Sequence, residues 1–454
     1  MMKMKMVKFF VPMLLSCALF ENINASLDTT FNPSGTPPGT VVTVFSYSVP
    51  EPYSHASGVA IQNDQKIVAA GTTIPTAGSG EFTLARYNTD GSLDTPFGNG
   101  GQVIIQTPFV LNSTRAVAQA VAIDNSGNIV VAGYAFVQPP HQTGAYQFAV
   151  ARYNTDGEVD FTVTTRFNNS TVSEANALVI QGDTIVVGGY TTVSGTQRFA
   201  LARYTSDGEL DTTFGGNNGD RAGTVTTVVG NNGSTVQAVV LQGDNIVAIG
   251  AAGNLGSAGS SFALARYTAD GVIDDSFGSD GTGTVITSLP GIGNGASSAA
   301  VQSDGSIVVL GNYVNDSVGN VGVLARYTPN GILDPTFADG QNGGLYLAAS
   351  PDDMGYSAVA LDAQQHIVTA GNHPGDFVVA RFTPNGIPDG FNVTTSFSGP
   401  GAYAVAIQSD DKVVLAGATT QQFTSNNFTL ARYVPPIITG RLSALTIAIQ
   451  NKYG

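Results

Sequence analysis

Residues 86–94 read Arg-Tyr-Asn-Thr-Asp-Gly-Ser-Leu-Asp, and this string decides the fold because it keeps returning. Its arginine recurs in Ala-Arg-Tyr or a close variant at Arg86, Arg152, Arg203, Arg266, Arg326, Arg381 and Arg432. Its final aspartate recurs in Leu-Asp-x-x-Phe or a degenerate form at Asp28, Asp94, Asp160, Asp211, Asp274, Asp334 and Asp389. A third marker is a glycine that closes a pair of apolar runs, as in AVAIDNSGNIVVAG; it falls at Gly71, Gly133, Gly189, Gly250, Gly311, Gly371 and Gly417. Three independent markers agree on seven units, and self-similarity at such a period is the mark of a repeat architecture.

Each unit reads as strands. Runs such as KIVAAG and FTLARY are short, rich in Val, Ile and Phe, and bounded by Gly, Asp and Asn, with no helical period between them. They alternate little between polar and apolar, the pattern of strands covered on both faces. Units of roughly 50 to 65 residues with three or four such strands fit propeller blades, since solenoid repeats are usually shorter. Phase then argues for ring closure. Ser-Leu-Asp-Thr-Thr-Phe at residues 26–31 belongs after an arginine string, whereas the last such string, at 428–433, runs into Val434-Pro435-Pro436 with no such piece behind it. The surplus at the front is what the final blade lacks. The expectation is an all-β, seven-bladed propeller over residues 26–434, closed by an N-terminal strand that leaves no free edge.

The arginine precedes the next marker aspartate by eight residues in all six places where both follow in order. A constant spacing means a constant turn, centred in the first unit on Asp90-Gly91, where glycine tolerates positive φ. In a simple hairpin Arg86 and Asp94 would face each other with Cβ atoms about 4.5–5.5 Å apart. A structural ion pair is expected in every blade: Arg86 with Asp94, Arg152 with Asp160, Arg203 with Asp211, Arg266 with Asp274, Arg326 with Asp334, Arg381 with Asp389 and, across the closure, Arg432 with Asp28. Neighbouring blades should bury each pair at least by half, and removing one partner of a buried pair costs about 3–5 kcal/mol.

Other spacings vary, from 10 residues (Gly371 to Arg381) to 19 (Gly133 to Arg152) between the glycine and the arginine. In an up-and-down blade the two Asp/Asn-Gly turns share one face and both variable connections share the other. One plain acidic face and one variable face follow, and loops are where binding residues concentrate. Tyr134 to Tyr146, Tyr190 to Gln197, Ala251 to Ser261 and Gln421 to Asn427 are the expected contact segments.

These residues resemble the bacterial delta-60 repeat, a β-propeller repeat of exported proteins with the approximate pattern F-x-L-A-R-Y-x-x-D-G-x-L-D-x-x-F-G followed by an A-x-x-x-D-G-K-I-V-x-A-G hairpin. The likeness covers residues 26 to 433, and Phe262 to Gly278, FALARYTADGVIDDSFG, follows nearly every position. Departures fall at Asp160-Phe161, Arg381-Phe382 and Ile387-Pro388-Asp389. The resemblance implies a propeller in an extracytoplasmic setting and carries no chemistry, so it transfers no catalytic residue.

Composition narrows the partners. Of 454 residues 42% are hydrophobic, with 23 Phe and 16 Tyr, enough to fill a large core. Thirty-three acids against 18 bases leave a net charge of -15, a poor partner for nucleic acid, which needs a basic patch. Lys3, Lys5 and Lys8 precede an apolar run from Phe9 to Phe20 and an INA-S cut after Ala25, which reads as an export signal over residues 1–25. The run is too short to span a bilayer. Cys17, the one cysteine, lies inside it, so the exported chain would hold no thiol. An alternative reading makes Leu14-Leu15-Ser16-Cys17 a lipoprotein box; both send the protein out of the cytoplasm, secreted or at the cell surface. The tail, 435–454, is too short for a membrane anchor.

Little chemistry is legible. His55, His141, His366 and His373 are scattered, with a metal shared by His366 and His373 as the sharpest reading of them. Asn88-x-Asp90-Gly91 and Asn154-x-Asp156-Gly157 look like calcium loops but lack the distal glutamate, and the equivalent turns carry fewer oxygens. No cofactor is expected, with calcium at one or two turns as the alternative. The function expected is an exported, monomeric scaffold that binds a protein or glycan through the variable face, without catalysis. The alternative is a metal-dependent propeller lyase or lactonase with inward-facing carboxylates at its central channel, and a third reading is a surface repeat with no ligand.

Overall fold

Seven antiparallel sheets follow one another along the chain in the computed structural model, one per repeat. In blade 1 the strands Tyr53–Ile61, Ile67–Ile74, Glu81–Tyr87 and Gln102–Ile105 run in order from the channel outward. Blades 2 to 6 repeat this over residues 113–165, 170–227, 234–287, 292–347 and 355–396. Blade 7 supplies three strands from 401–434, and Ser26–Leu27 and Thr40–Thr43 both pair with its last strand, Ser425–Val434. The N-terminal segment thus closes the ring. The structure describes residues 26–435 apart from 46–51, 76–78, 106–108, 111–112, 142, 217–219, 254–260, 290–291, 316–318, 349–354, 374, 398 and 422–424. The export signal, the lipoprotein box and the tail lie outside the described residues.

The missing alternation of the sequence has its cause in this arrangement. All seven residues of Glu81–Tyr87 are buried, and so are the first seven of Ile67–Ile74, because a blade lies against each face of the sheet. Each blade interface is a separate apolar cluster of Val, Ile, Leu and Phe. Burying such side chains is worth about 25 cal/mol per Å² of apolar surface. A polar peg adds to five interfaces. The tyrosine of the arginine string reaches back to a threonine on the outer strand of the preceding blade: Tyr87 to Thr43 at 2.6 Å, and Tyr204 to Thr165, Tyr267 to Thr227, Tyr327 to Thr287 and Tyr433 to Thr395 at 2.8 Å. Where the equivalent outer position is Leu347, in blade 5, the next blade carries Phe382 in place of tyrosine. That explains the departure at Arg381-Phe382: a hydroxyl there would face a leucine.

The turn after Arg86 is the hairpin that the spacing suggests, with Tyr87 opposite Leu93, and an excursion follows it. Asp94 N–H donates to Arg86 C=O, and the chain then swings outward and comes back at Gly101, whose carbonyl accepts from Arg86 N–H. Arg203, Arg266 and Arg432 are flanked in the same way, by Gly223, Gly283 and Gly39. In blades 2 and 6 the outer strand instead runs straight on, as Val159–Thr165 and Pro388–Ser396, each with a register shift. These are the two blades whose Leu-Asp-x-x-Phe string is degenerate. Losing the intervening residues removes the excursion.

Every innermost strand also carries a bulge at one level, between Ala56 and Gly58, Ala118 and Ala120, Ala175 and Ala177, Val236 and Ala238, Ala296 and Ser298, Tyr356 and Ala358, and Ala402 and Ala404. The third sequence marker makes room for it. A Cβ on Gly71 would overlap the carbonyl oxygen of His55 on the bulged strand, and the other six marker glycines meet the equivalent carbonyl. Glycine is needed here for close backbone approach.

Candidate functional site

Three places gather polar side chains: the turn face, the central channel and the variable face. On the turn face the seven arginines and seven aspartates meet as pairs, each with a guanidinium nitrogen 2.6–3.0 Å from a carboxylate oxygen. Arg432 and Asp28 form the most buried pair, each side chain 4% exposed, and Arg152 with Asp160 the most open, at 16% and 33%. Beneath each guanidinium lies the phenylalanine that ends the aspartate string, for example Phe97 under Arg86 at 4.3 Å and Phe31 under Arg432 at 4.4 Å. In the degenerate blades Phe161 and Phe391 stand nearer their aspartates in sequence and still lie under Arg152 and Arg381. A cation over a ring gains about 0.5–2 kcal/mol according to burial.

The clasp also reaches the next blade. Arg86 donates to the Thr155 carbonyl at 2.5 Å, Arg266 to that of Pro329 at 2.6 Å and Arg326 to that of Pro384 at 3.0 Å, each in the following turn. Arg203 donates to Ala269 in the same way. The following turn's glycine sits on the phenylalanine, so that a Cβ on Gly157 would strike Phe97. The Asp-Gly turn is therefore a latch between blades as well as a reversal of chain. Lys66 and Lys412, the two lysines inside the repeats, add to the aspartates of blade 1 and the closure, at 3.1 Å from Asp94 and 3.6 Å from Asp28. Burial alone would push the Asp94 carboxyl up, but hydrogen bonds from Lys66 and Arg86 outweigh it and hold it below the usual carboxylate range. Asp28 is held low by Thr30, Arg432 and Lys412 against the same burial.

The two turns that look like calcium loops spend their oxygens on themselves. Asp90 Oδ1 accepts from the amide and hydroxyl of Ser92, and Asn154 Oδ1 accepts from the amides of Asp156 and Glu158. His366 and His373 stand at opposite ends of one strand, His366 against Asp362 at 2.8 Å and His373 at 4.0 Å from Asp376, so they share no site. Among the described residues no three of His, Cys, Asp and Glu are grouped so as to hold a metal ion.

The channel is lined by all seven innermost strands and encloses about 590 Å³. The bulged residue of each strand lies on it: Ser57, Gln119, Asn176 and Gln237 from blades 1 to 4, then Ser297, Ser357 and Tyr403 from blades 5 to 7. Its lining contains one histidine, His55, and no carboxylate among the described residues, a donor set that does not fit a divalent metal. The lyase reading looked for carboxylates at a channel mouth, and none lines this cavity among the described residues.

On the variable face the contact segments of blades 2 and 3 are partly strand, while residues 254–260 and 422–424 of the other two lie outside the described residues. Strands run to Val137 and resume at Ala145 in blade 2, and only Ser194-Gly195 separates Val193 from Thr196 in blade 3. Their ends bring together residues from two blades. Tyr146 packs edge-on against Tyr134 at 5.4 Å and Phe136 at 5.2 Å. Glu174 stands opposite Tyr190 in register and is hydrogen-bonded to it, with the charge of Arg115 close enough to act on it. Desolvation pushes the Glu174 carboxyl up despite both neighbours, and it pushes Tyr190 and Tyr134 up as well. Arg115 Nε is buried with no hydrogen-bond partner among the described residues. Sequence reasoning flagged Tyr134, Tyr146 and Tyr190 as ends of variable segments but missed Arg115 and Glu174, which lie near the starts of innermost strands and outside those segments.

The chain is a β-propeller built of repeats, and comparison with known proteins agrees. Residues 62–97, 125–162, 181–214, 242–277, 302–337 and 408–435 match the model described as Domain of unknown function (DUF5122) beta-propeller. The first five matches run from the first turn of a blade to the phenylalanine under its arginine or one residue past it, and the sixth blade, with its Phe382 and Pro388, falls between matches. No curated protein matches the chain. Among solved structures, similar folds include a protein of unknown function from Dyadobacter fermentans (10% identity, 87% of this chain and 99% of that one, TM-score 0.48). Others are virginiamycin B lyase from Staphylococcus aureus (11% identity, 86% and 99%, TM-score 0.46) and the polysaccharide lyase Uly1 (11%, 87% and 91%, TM-score 0.47).

Proposed function

We propose that this protein is an exported, monomeric scaffold of delta-60 repeats that binds a glycan through its variable face, without catalysis. One observation carries the reading: the cluster of Tyr134, Tyr146, Tyr190, Glu174 and Arg115 shared by blades 2 and 3. Tyrosine rings offer apolar faces to the C–H side of a sugar, while a carboxyl and a guanidinium offer directional hydrogen bonds to its hydroxyls. The opposite face has no such freedom, since its arginines, aspartates and turns hold the blades together. Export rests on the leader with Lys3, Lys5 and Lys8 and on the scarcity of lysine and cysteine beyond it.

The test is a glycan array probed with the labelled protein and with Tyr146→Ala and Arg115→Ala. The expected result is binding to a defined subset of glycans that both substitutions weaken at least tenfold. Binding that ignores both substitutions would move the ligand away from this cluster, and an empty array would turn the search to protein partners.

A further inference from the structure

The seven bulges have a consequence for the channel that is independent of the variable face. A bulged residue has no partner across the ladder, so its side chain is free of sheet pairing. All seven such residues line the channel, and all seven are polar and uncharged at neutral pH: three serines, two glutamines, an asparagine and a tyrosine. A ring needed only to fill space would carry Val or Ala, as the adjoining channel positions Val59, Ala120, Val121 and Ala404 do.

Part of this ring is committed to structure. Asn176 donates to the Val236 carbonyl of the next blade at 2.8 Å, and Ser297 lies 3.4 Å from the carbonyl of Tyr356. The remainder is not. Ser57 Oγ and, beside it on the same strand, His55 Nδ1 are buried without a hydrogen-bond partner among the described residues. Gln119, half-buried, and Gln237, exposed to the channel, have no protein hydrogen-bond partner among the described residues, so both carboxamides are open to a ligand. Leaving a buried polar group unpaired costs about 1–3 kcal/mol, and both buried atoms, Ser57 Oγ and His55 Nδ1, belong to residues that border this one cavity. The rings of Tyr53 and Tyr403 flank His55 at 5.8 and 6.1 Å, giving apolar surface beside the hydrogen-bonding groups.

We propose that the channel is a binding site for a small neutral polyhydroxylated molecule, of the size of a mono- or disaccharide. Carboxamides and hydroxyls both donate and accept, which matches sugar hydroxyls, and the lining holds no charge to select an anion or a metal. Its volume lies within the 300–1,000 Å³ common for small-molecule sites. Burial keeps His55 low in pKa and therefore neutral, consistent with an uncharged ligand.

The experiment is calorimetric titration of the purified protein with glucose, galactose, mannose, maltose and cellobiose, and with glucose 6-phosphate as the charged comparison. Saturable binding of at least one neutral sugar is expected, at least tenfold tighter than the phosphate. Gln119→Leu and Gln237→Leu, checked for an unchanged fold by circular dichroism, should each weaken it at least tenfold, and Tyr146→Ala should leave it within twofold. No heat with any neutral sugar, equal affinity for the phosphate, or binding untouched by both glutamine substitutions would overturn the proposal. Loss of sugar binding in Tyr146→Ala alone would overturn it too and assign the sugar to the variable face.

Discussion

Arg432 and Asp28 lie 404 positions apart in the chain and 2.9 Å apart in the fold. This one contact joins the last strand to the N-terminal segment that closes the ring, and it has the same form as pairs made eight residues apart elsewhere. Arg432 also donates to the Thr89 carbonyl of blade 1 at 2.5 Å, so the closing pair grips both sides of the seam.

Breaking the seam should therefore cost as much as breaking a buried pair. Asp28→Asn or Arg432→Leu is expected to lower stability by about 3–5 kcal/mol, and the double-mutant cycle should show coupling between them. Arg152→Leu should cost less, because water screens the more open Arg152–Asp160 pair. Urea unfolding of the unaltered protein, the two single variants, their double variant and Arg152→Leu measures both statements; equal losses at the two sites would show that burial does not set the strength of the clasp.

The tyrosine pegs predict opposite signs for one substitution. Tyr204→Phe breaks the bond to Thr165 and should destabilise by about 1 kcal/mol. Tyr153→Phe should be neutral or stabilising, since the Tyr153 hydroxyl is buried without a partner and the equivalent outer position in blade 1 is Ile105. Thermal melts of the two variants side by side give the answer.

The marker glycines should be intolerant of a single methyl group. Gly71→Ala forces either the bulge or the second strand to move, and a loss of roughly 1–3 kcal/mol is expected, as for an overpacked core. Gly195, with open space around its Cβ position, gives the comparison: Gly195→Ala bears only the strain of its positive φ.

Acid should loosen the ring by a defined route. Asp28, Asp94, Asp211, Asp274 and Asp334 all have carboxyls held below the ordinary value in the folded state. The unfolded chain then binds more protons, so the stability these groups contribute is present above their unfolded pKa of about 4 and fades as pH falls through the folded values. Glu174 has the reverse sign: its raised carboxyl favours the fold at low pH and weakens it as pH rises. Glu174→Gln should raise the melting temperature at pH 8 and make less difference at pH 4, a comparison that calorimetry reads directly.

By itself the sequence determined the number of blades, the strands and the place of closure, because each of these is periodic and local. Seven copies of one spacing can be counted, and a phase mismatch between residues 26–31 and 428–433 shows where the ring must join. The register of Arg86 with Asp94 was likewise legible from an eight-residue interval. Tertiary structure alone decided what those residues do to one another across blades: the turn glycine of one blade rests on the phenylalanine of the blade before it, and five of the tyrosines reach a threonine on a neighbouring blade. The channel ring lay beyond sequence reasoning for the same reason. A bulge is a property of two paired strands, and nothing in Ser57, Gln119 or Asn176 taken singly says that they border one cavity. Repeats expose their common geometry to the reader of a sequence. The places where they differ, such as Arg115 and Glu174 at one seam, gain meaning only when folding sets unlike blades side by side.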